Sequence, residues 1–476
     1  GRIYNSEFGE FTREDFGVRG GKFVEIGEIY GAAEIEFSGK LILPALFDVH
    51  VHFFQTGIRM ISFDAGDANP ETELLDALAD WIRDRDGICG YGYDPPAGGQ
   101  LPSREFLDSI SPDKPIFLRR IDGHSSCANS AAARELEDIV SGIDGDRRDS
   151  GLLSGAAHIA ADRYFLSKVP DSDLAKAAEE VAMASAKVGC GTLGALVPNL
   201  RWMELLLELD LPIRILPRLE TMIPAEAAEL GLSRVGGCMP MIDGSLGSLT
   251  AFLTSDYADA PGNRGTAHIS AGELRRWFEE SARFGLQPAV HAIGDAAVDI
   301  FLEAAEPFLR TADISPRIEH AELLRDDQIR EIARREIPLA VQPVFSEKWG
   351  FAEGLYQKRL GGRFRDMNRL RDLTEAGITL AGSSDSYITP IDPIRGIRAA
   401  MNHPFTKQRL NFAEAVDLFS INAARAEMIS DQTGSIDIGK SADFLVLGEC
   451  ESGEMDSEDI EALYLKGRKI YQKEES

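Results

Sequence analysis

PALFDVHVHFF, residues 44–54, sets two of the chain's eight histidines one residue apart inside an apolar, aromatic run. Leu46, Val49, Val51, Phe53 and Phe54 surround the pair, and residues of these types favour strands. On a strand, Asp48, His50 and His52 point to one face and Val49 and Val51 to the other. Two imidazoles on one face, about 7 Å apart along the backbone, can converge on one metal ion at a strand end. An ordinary strand bearing two hydrogen-bonded histidines gives the same pattern, because HxH is short.

Outward from this stretch the chain alternates. Apolar runs of strand length occur at 190–197, 211–220, 236–242, 286–291, 316–320, 337–343 and 378–385. Helical patterns separate them at 199–209, 271–284, 295–309, 326–336 and 366–376. In 295–309, Ala297, Val298, Phe301, Leu302 and Ala305 form one apolar helix face. Strand–helix alternation means βαβ units and a parallel sheet. With 46–52 as the first strand the count is eight, which closes a (β/α)8, TIM-like barrel. The expected organisation is a barrel over 46–427 that carries an insertion at 55–170, placed as a cap over the barrel mouth. A competing count makes 115–121 a barrel strand. Residues 1–45 and 428–476 carry short Gly-punctuated strand patterns that predict one small β-sandwich built from both ends.

Composition narrows the function. Hydrophobic residues make up 44% and charged residues 27% of the 476-residue chain, values typical of globular domains. A net charge of −28 argues against nucleic acid and anionic membrane as partners. A small-molecule substrate stays open, as does a homo-oligomer. The five cysteines show no CxxC spacing, and Cys190 and Cys238 lie in apolar runs that predict buried thiols. No secretory pattern or long apolar run is present, so a cytoplasmic enzyme is expected.

The remaining histidines carry the argument further. His291 closes PAVH, His320 closes RIEH and Asp385 closes ITLAGSSD. With His50 and His52 they stand at the C-terminal ends of predicted strands 1, 5, 6 and 8, where barrel active sites form. Nitrogen ligands with one carboxylate suit Zn2+, with Fe2+ or Mn2+ as alternatives. His158, His268 and His403 lack this context and read as structural or exposed. Arg119, Arg120, Arg218 and Arg317 can pair a substrate carboxylate or sit in structural ion pairs.

GKLILPALFDVHVHF, RIDGHSSCANS, DGSLGSLTA, VHAIGDAAVD, RIEHAELL, GSSDSYITPIDP and GSIDIGKSADFLVL follow one another along nearly the whole chain. In this order they resemble the amidohydrolase superfamily, and within it amidohydrolase family 3, the group that includes N-substituted formamide deformylase. The resemblance implies metal binding by His50, His52, His291, His320 and Asp385, with Asp385 also shuttling protons. It makes His124, in the insertion, a substrate-contacting residue; a turn histidine held by Asp122 and Asn129 is the structural alternative.

Two departures stand out. Pro44-Ala45 replaces the usual Pro-Gly, and Met239 stands where the family often has a carboxylated lysine bridging two metals. Glu220 is a candidate substitute carboxylate. Without a bridge, one tightly held ion is expected, on His50, His52, His291 and Asp385, leaving His320 to polarise the substrate carbonyl. The expected reaction is hydrolysis of an amide or other C–N bond by a metal-activated water. Ring-amidine deamination uses the same parts. A catalytically silent metal-binding regulatory protein is the rival from another class, and Met239 is its sole support.

Overall fold

The computed structural model describes residues 1–27, 35–65, 71–93, 101–120, 125–232, 236–308, 314–449 and 453–474. Within it, eight parallel strands follow one another in chain order around one sheet. They are β1 (Leu46–His52), β2 (Cys190–Val197), β3 (Arg214–Leu219), β4 (Gly237–Cys238), β5 (Gln287–Ala292), β6 (Arg317–His320), β7 (Leu339–Val341) and β8 (Leu380–Gly382). The sheet closes just past β8: His52 N–H donates to Ser386 O at 2.7 Å and Asp385 N–H to His50 O at 3.0 Å. A closed ring of parallel strands with helices between them is the TIM-like (β/α)8 barrel that the alternation predicts.

Each strand forms where β-branched and apolar residues run together, and each ends at a local stop. The strand expected at 236–242 shrinks to β4 because Gly236 and Gly237 take positive φ and Pro240 offers no N–H. Irregular backbone continues its line, with Met239 N–H on Leu219 O and Ile242 N–H on His291 O. In β2, Gly194 sits at a register shift against β1. A Cβ there would lie 2.2 Å from Val49 O, so only glycine lets the two strands meet.

Both chain ends contribute to a second, six-stranded sheet. Its order is Glu10–Arg13, Arg2–Asn5, Leu41–Pro44, Phe444–Leu447, Ile460–Leu465 and Arg468–Gln472. A hairpin of Asp15–Arg19 and Lys22–Gly27 packs on it through Phe16 and Phe23, with the Phe16 ring edge-on to Phe444 at 4.9 Å. Barrel and end sheet belong to one compact unit, Gly1–Phe53 with Ala182–Ser476.

Phe54–Val181 is a separate compact unit, longer at its C-terminal side than the expected insertion because the helix Asp171–Lys187 crosses the boundary. It has its own six-stranded sheet, in which Ile116–Arg120 lies between Ile88–Tyr93 and Ser125–Ala128. The described part of the stretch expected at 115–121, Ile116–Arg120, therefore belongs to this sheet and supplies no barrel strand. Leu74, Leu78, Ile88, Leu107, Ile116 and Leu118 form its core. Among the described residues, no helix is long and apolar enough to cross a membrane.

Candidate metal centre

Strand alternation puts Asp48, His50 and His52 on one face of β1. Asp48 is buried and accepts from Ser384 N–H at 3.0 Å. The imidazoles then form a continuous series at the strand ends. Ring centres are 5.7 Å apart for His50 and His52, 4.8 Å for His50 and His320, and 4.5 Å for His320 and His291.

His320 joins this series against the alternation of its own strand. Glu319, one residue earlier, touches His50, so a regular strand would turn His320 to the other face. Positive φ angles of 72° at His320 and 49° at Ala321 redirect the chain and bring the ring round. Asp385 is likewise left-handed, at φ 54°. Such backbone costs about 1–3 kcal/mol per residue and persists where surrounding contacts enforce it.

Hydrogen bonds fix which ring nitrogen is free. Ser383 Oγ–H donates to Val341 O at 3.2 Å, so its oxygen accepts from Gln342 Nε2 at 2.9 Å. That turns Gln342 Oε1 toward His320 Nδ1 at 3.0 Å, which must carry the proton. His320 Nε2 is therefore a bare lone pair. His50 Nδ1 donates to Glu319 Oε2 at 2.6 Å, leaving Nε2 for an ion. His291 Nε2 donates to Gly244 O at 3.2 Å, leaving Nδ1. Anchoring one imidazole nitrogen to orient the other is the usual support for a metal-binding histidine.

Asp385 Oδ1 meets these lone pairs. It lies 3.3 Å from His50 Nε2 and 3.2 Å from His52 Nε2. Yet it is buried and forms no hydrogen bond among the described residues. Donor atoms of His50, His320 and Asp385 all lie within 4.8 Å of one another. A buried carboxylate oxygen with no hydrogen bond of its own is costly without a cation beside it, whether a protonated imidazole or a metal ion, and the donor set suits a divalent metal.

Charge explains the titration of the site. Burial pushes His50 down, but Asp385 and Glu319 outweigh it and hold the imidazole at about 9. Burial likewise opposes protonation of His52, which Asp385 and Glu220 raise to about 10. His320 goes the other way, to about 3, through burial and the neighbouring His291. A cation and the protons of His50 and His52 compete for the same lone pairs. Metal affinity is therefore expected to rise with pH up to about 9, where His50 gives up its proton, tenfold per pH unit for each proton displaced. Competition against a chromophoric chelator at several pH values checks this, and a flat profile contradicts it.

Of the remaining expected residues, Glu220 approaches His52 Nδ1 at 3.3 Å, on the opposite edge of the ring from Asp385. Its Oε1, like Asp385 Oδ1, is buried with no hydrogen bond among the described residues. Met239 is buried against Leu196 and Ala289, in an apolar cluster. His124 lies outside the described residues. Arg218 and Arg317 are fully buried in ion pairs to Glu427, and Arg119 pairs with Asp162, so none of the three stands ready for a substrate carboxylate. His158 bonds Ser126 Oγ and His403 is buried away from the centre.

Residues 33–471 match the family model described as "Amidohydrolase family". The chain belongs to this family. This amidohydrolase is 28% identical to protein LONG AFTER FAR-RED 3 of Arabidopsis thaliana, over 99% of the chain and 90% of that protein. It is 23% identical to N-substituted formamide deformylase of Arthrobacter pascens, over 96% of the chain and 94% of that enzyme. The crystal structure of an uncharacterized metal-dependent hydrolase from Pyrococcus furiosus superposes with a TM-score of 0.83 at 26% identity, covering 95% of this chain and 98% of the other. Family and fold together make the amidohydrolase a metal-dependent hydrolase.

Proposed function

We propose that the protein hydrolyses an amide or other C–N bond of a small molecule at a single divalent cation. The observation that carries this reading is the convergence of imidazole nitrogens on the buried Asp385 Oδ1, which has no hydrogen bond among the described residues. His50, His320 and Asp385 form the tight core of the ligand set, and His52 and His291 complete it. Four nitrogen donors favour Zn2+ over harder ions. When bound, such an ion supplies Lewis acidity and acidifies a water to a pKa of about 7.

The chain's own residues do the rest. The flanking imidazoles hold Asp385 well below the usual carboxylate range despite its burial, so it is ionised at neutral pH. It accepts the proton of the attacking water at a carboxylate oxygen and returns it to the leaving nitrogen. Of the two roles expected for His320, ion ligand and carbonyl polariser, its tautomer supports the first. Its proton is on Nδ1, facing Gln342, so Nε2 cannot donate to a carbonyl and serves instead as an ion ligand. Beyond the strand ends, Met222, Met241 and Tyr387 follow Glu220, Met239 and Asp385 by two residues and are 49%, 49% and 40% exposed. These side chains favour substrates with an apolar substituent, as in the N-substituted formamides that name the Arthrobacter relative.

The test is a panel of N-substituted formamides, acyl amides, lactams and ring amidines, assayed with chelated and Zn2+-restored protein. Metal-dependent release from an amide class supports the reading. Release from ring amidines alone makes the protein a deaminase, and silence from every class returns it to a non-catalytic role.

A further inference from the structure

We propose that Glu427, at the end of the helix Ile421–Ala426 and remote from the metal ligands in sequence, is a positioning residue for the metal centre, acting through Arg317 and Glu319 on His50. The proposal rests on the single-ion reading above, and stands on a continuous chain of short, fully buried contacts.

Glu427 divides its two oxygens between two arginines. Oε1 accepts from Arg317 Nη1 at 2.6 Å and Oε2 from Arg218 Nη2 at 2.6 Å. Arg317 then turns its Nε to Glu319 Oε1 at 2.6 Å, and its Nη2 to Val49 O at 3.1 Å. Glu319 Oε2 takes His50 Nδ1 at 2.6 Å. The side chains of Glu427, Arg218, Arg317 and Glu319 are 0% exposed, and that of His50 is 1% exposed. Shielded from bulk solvent, each of these charges is felt strongly by the next.

The charges balance: two guanidinium ions face two carboxylates. Arg317 is shared between the two carboxylates, and that sharing sets how much positive charge it offers Glu319. With Glu427 neutral, Arg317 has Glu319 as its one carboxylate partner and Arg218 has none. Glu319 is then more fully neutralised and holds the His50 Nδ1 proton less strongly, which makes Nε2 a poorer donor to a cation. The position of Glu427 is itself fixed. Its N–H donates to Ala423 O at 2.9 Å, and the preceding Ala426 O accepts from Gln287 Nε2 at 2.9 Å, while Gln287 Oε1 holds Arg218 at 2.7 Å.

The experiment compares Zn2+ affinity of full-length wild type, Glu427→Gln and the charge-balanced double variant Arg218→Met with Glu427→Gln, by competition with a chromophoric chelator across pH. Circular dichroism and gel filtration establish folding. We expect Glu427→Gln to bind Zn2+ about tenfold more weakly, at the lower end of outer-shell effects, with its pH profile displaced from that of wild type. The double variant, which leaves no unpaired arginine, should show the same loss and is the one that decides if the single variant does not fold. Wild-type affinity and pH profile in either folded variant overturn the proposal. Failure of both to fold assigns Glu427 to stability alone and also overturns it. Wild type that binds no Zn2+ in this assay, or a His50→Ala variant that binds as wild type does, defeats the underlying metal reading instead.

Discussion

Asp385→Asn is expected to lower kcat by about 10²- to 10⁴-fold, the range for loss of a positioned acid–base group, while retaining bound metal. The two effects separate because the carboxylate has two roles. As a ligand it needs a lone pair facing His50 and His52, which an amide oxygen also provides. As a proton carrier it needs an ionised oxygen that can take the proton of the attacking water, which an amide lacks. The backbone allows the change, since Asp385 is left-handed at φ 54°, and asparagine tolerates that region better than most residues. Elemental analysis and turnover on the same preparation check both halves. Near-normal kcat removes Asp385 from the proton pathway. Asp385→Ala, which lacks any side-chain donor and is strained at that φ, should lose metal as well.

His50→Ala is expected to abolish activity and to weaken metal binding by more than the roughly 10–100-fold seen when an outer-shell partner is removed. His50 contributes to the tight cluster with His320 and Asp385 and also receives the carboxylate of Glu319. Its removal therefore costs a ligand and leaves Glu319 Oε2 buried without its partner. An unsatisfied buried group costs about 1–3 kcal/mol, and Arg317 still satisfies the other oxygen. The variant should thus fold with reduced stability. Metal content near wild type in a folded His50→Ala protein is the contrary result.

The barrel was legible because its strands are locally encoded. At β1 and β2 the apolar, β-branched runs coincide with the paired residues, 46–52 and 190–197. Prediction failed where backbone geometry, rather than side-chain pattern, ends a strand, as at β4 with its two positive-φ glycines and Pro240. Strand-end position singled out the four histidines and Asp385, whose rings and carboxylate the fold brings together. It left two roles open for His320, because the choice depends on a φ of 72° and on a tautomer relayed from Val341 O through Ser383 and Gln342. Glu319 was visible within RIEH as a charge inside an apolar strand, yet its partner lies 269 residues away. Glu427 carried no local signal at all: an acidic residue at a helix end reads as solvated until the fold places two arginines against it. The choice between substrate binding and structure for Arg218 and Arg317 was open for the same reason.

The central claim is that one divalent cation sits among His50, His320 and Asp385, with His52 and His291 around it and with no second ion bridged at Met239. An anomalous-difference map from crystals grown with Zn2+ tests it in one measurement. A single strong peak per chain is expected, about 2.0–2.2 Å from His50 Nε2, His320 Nε2 and an Asp385 carboxylate oxygen. No peak at that position, or a second peak of comparable height bridged by Glu220, contradicts it.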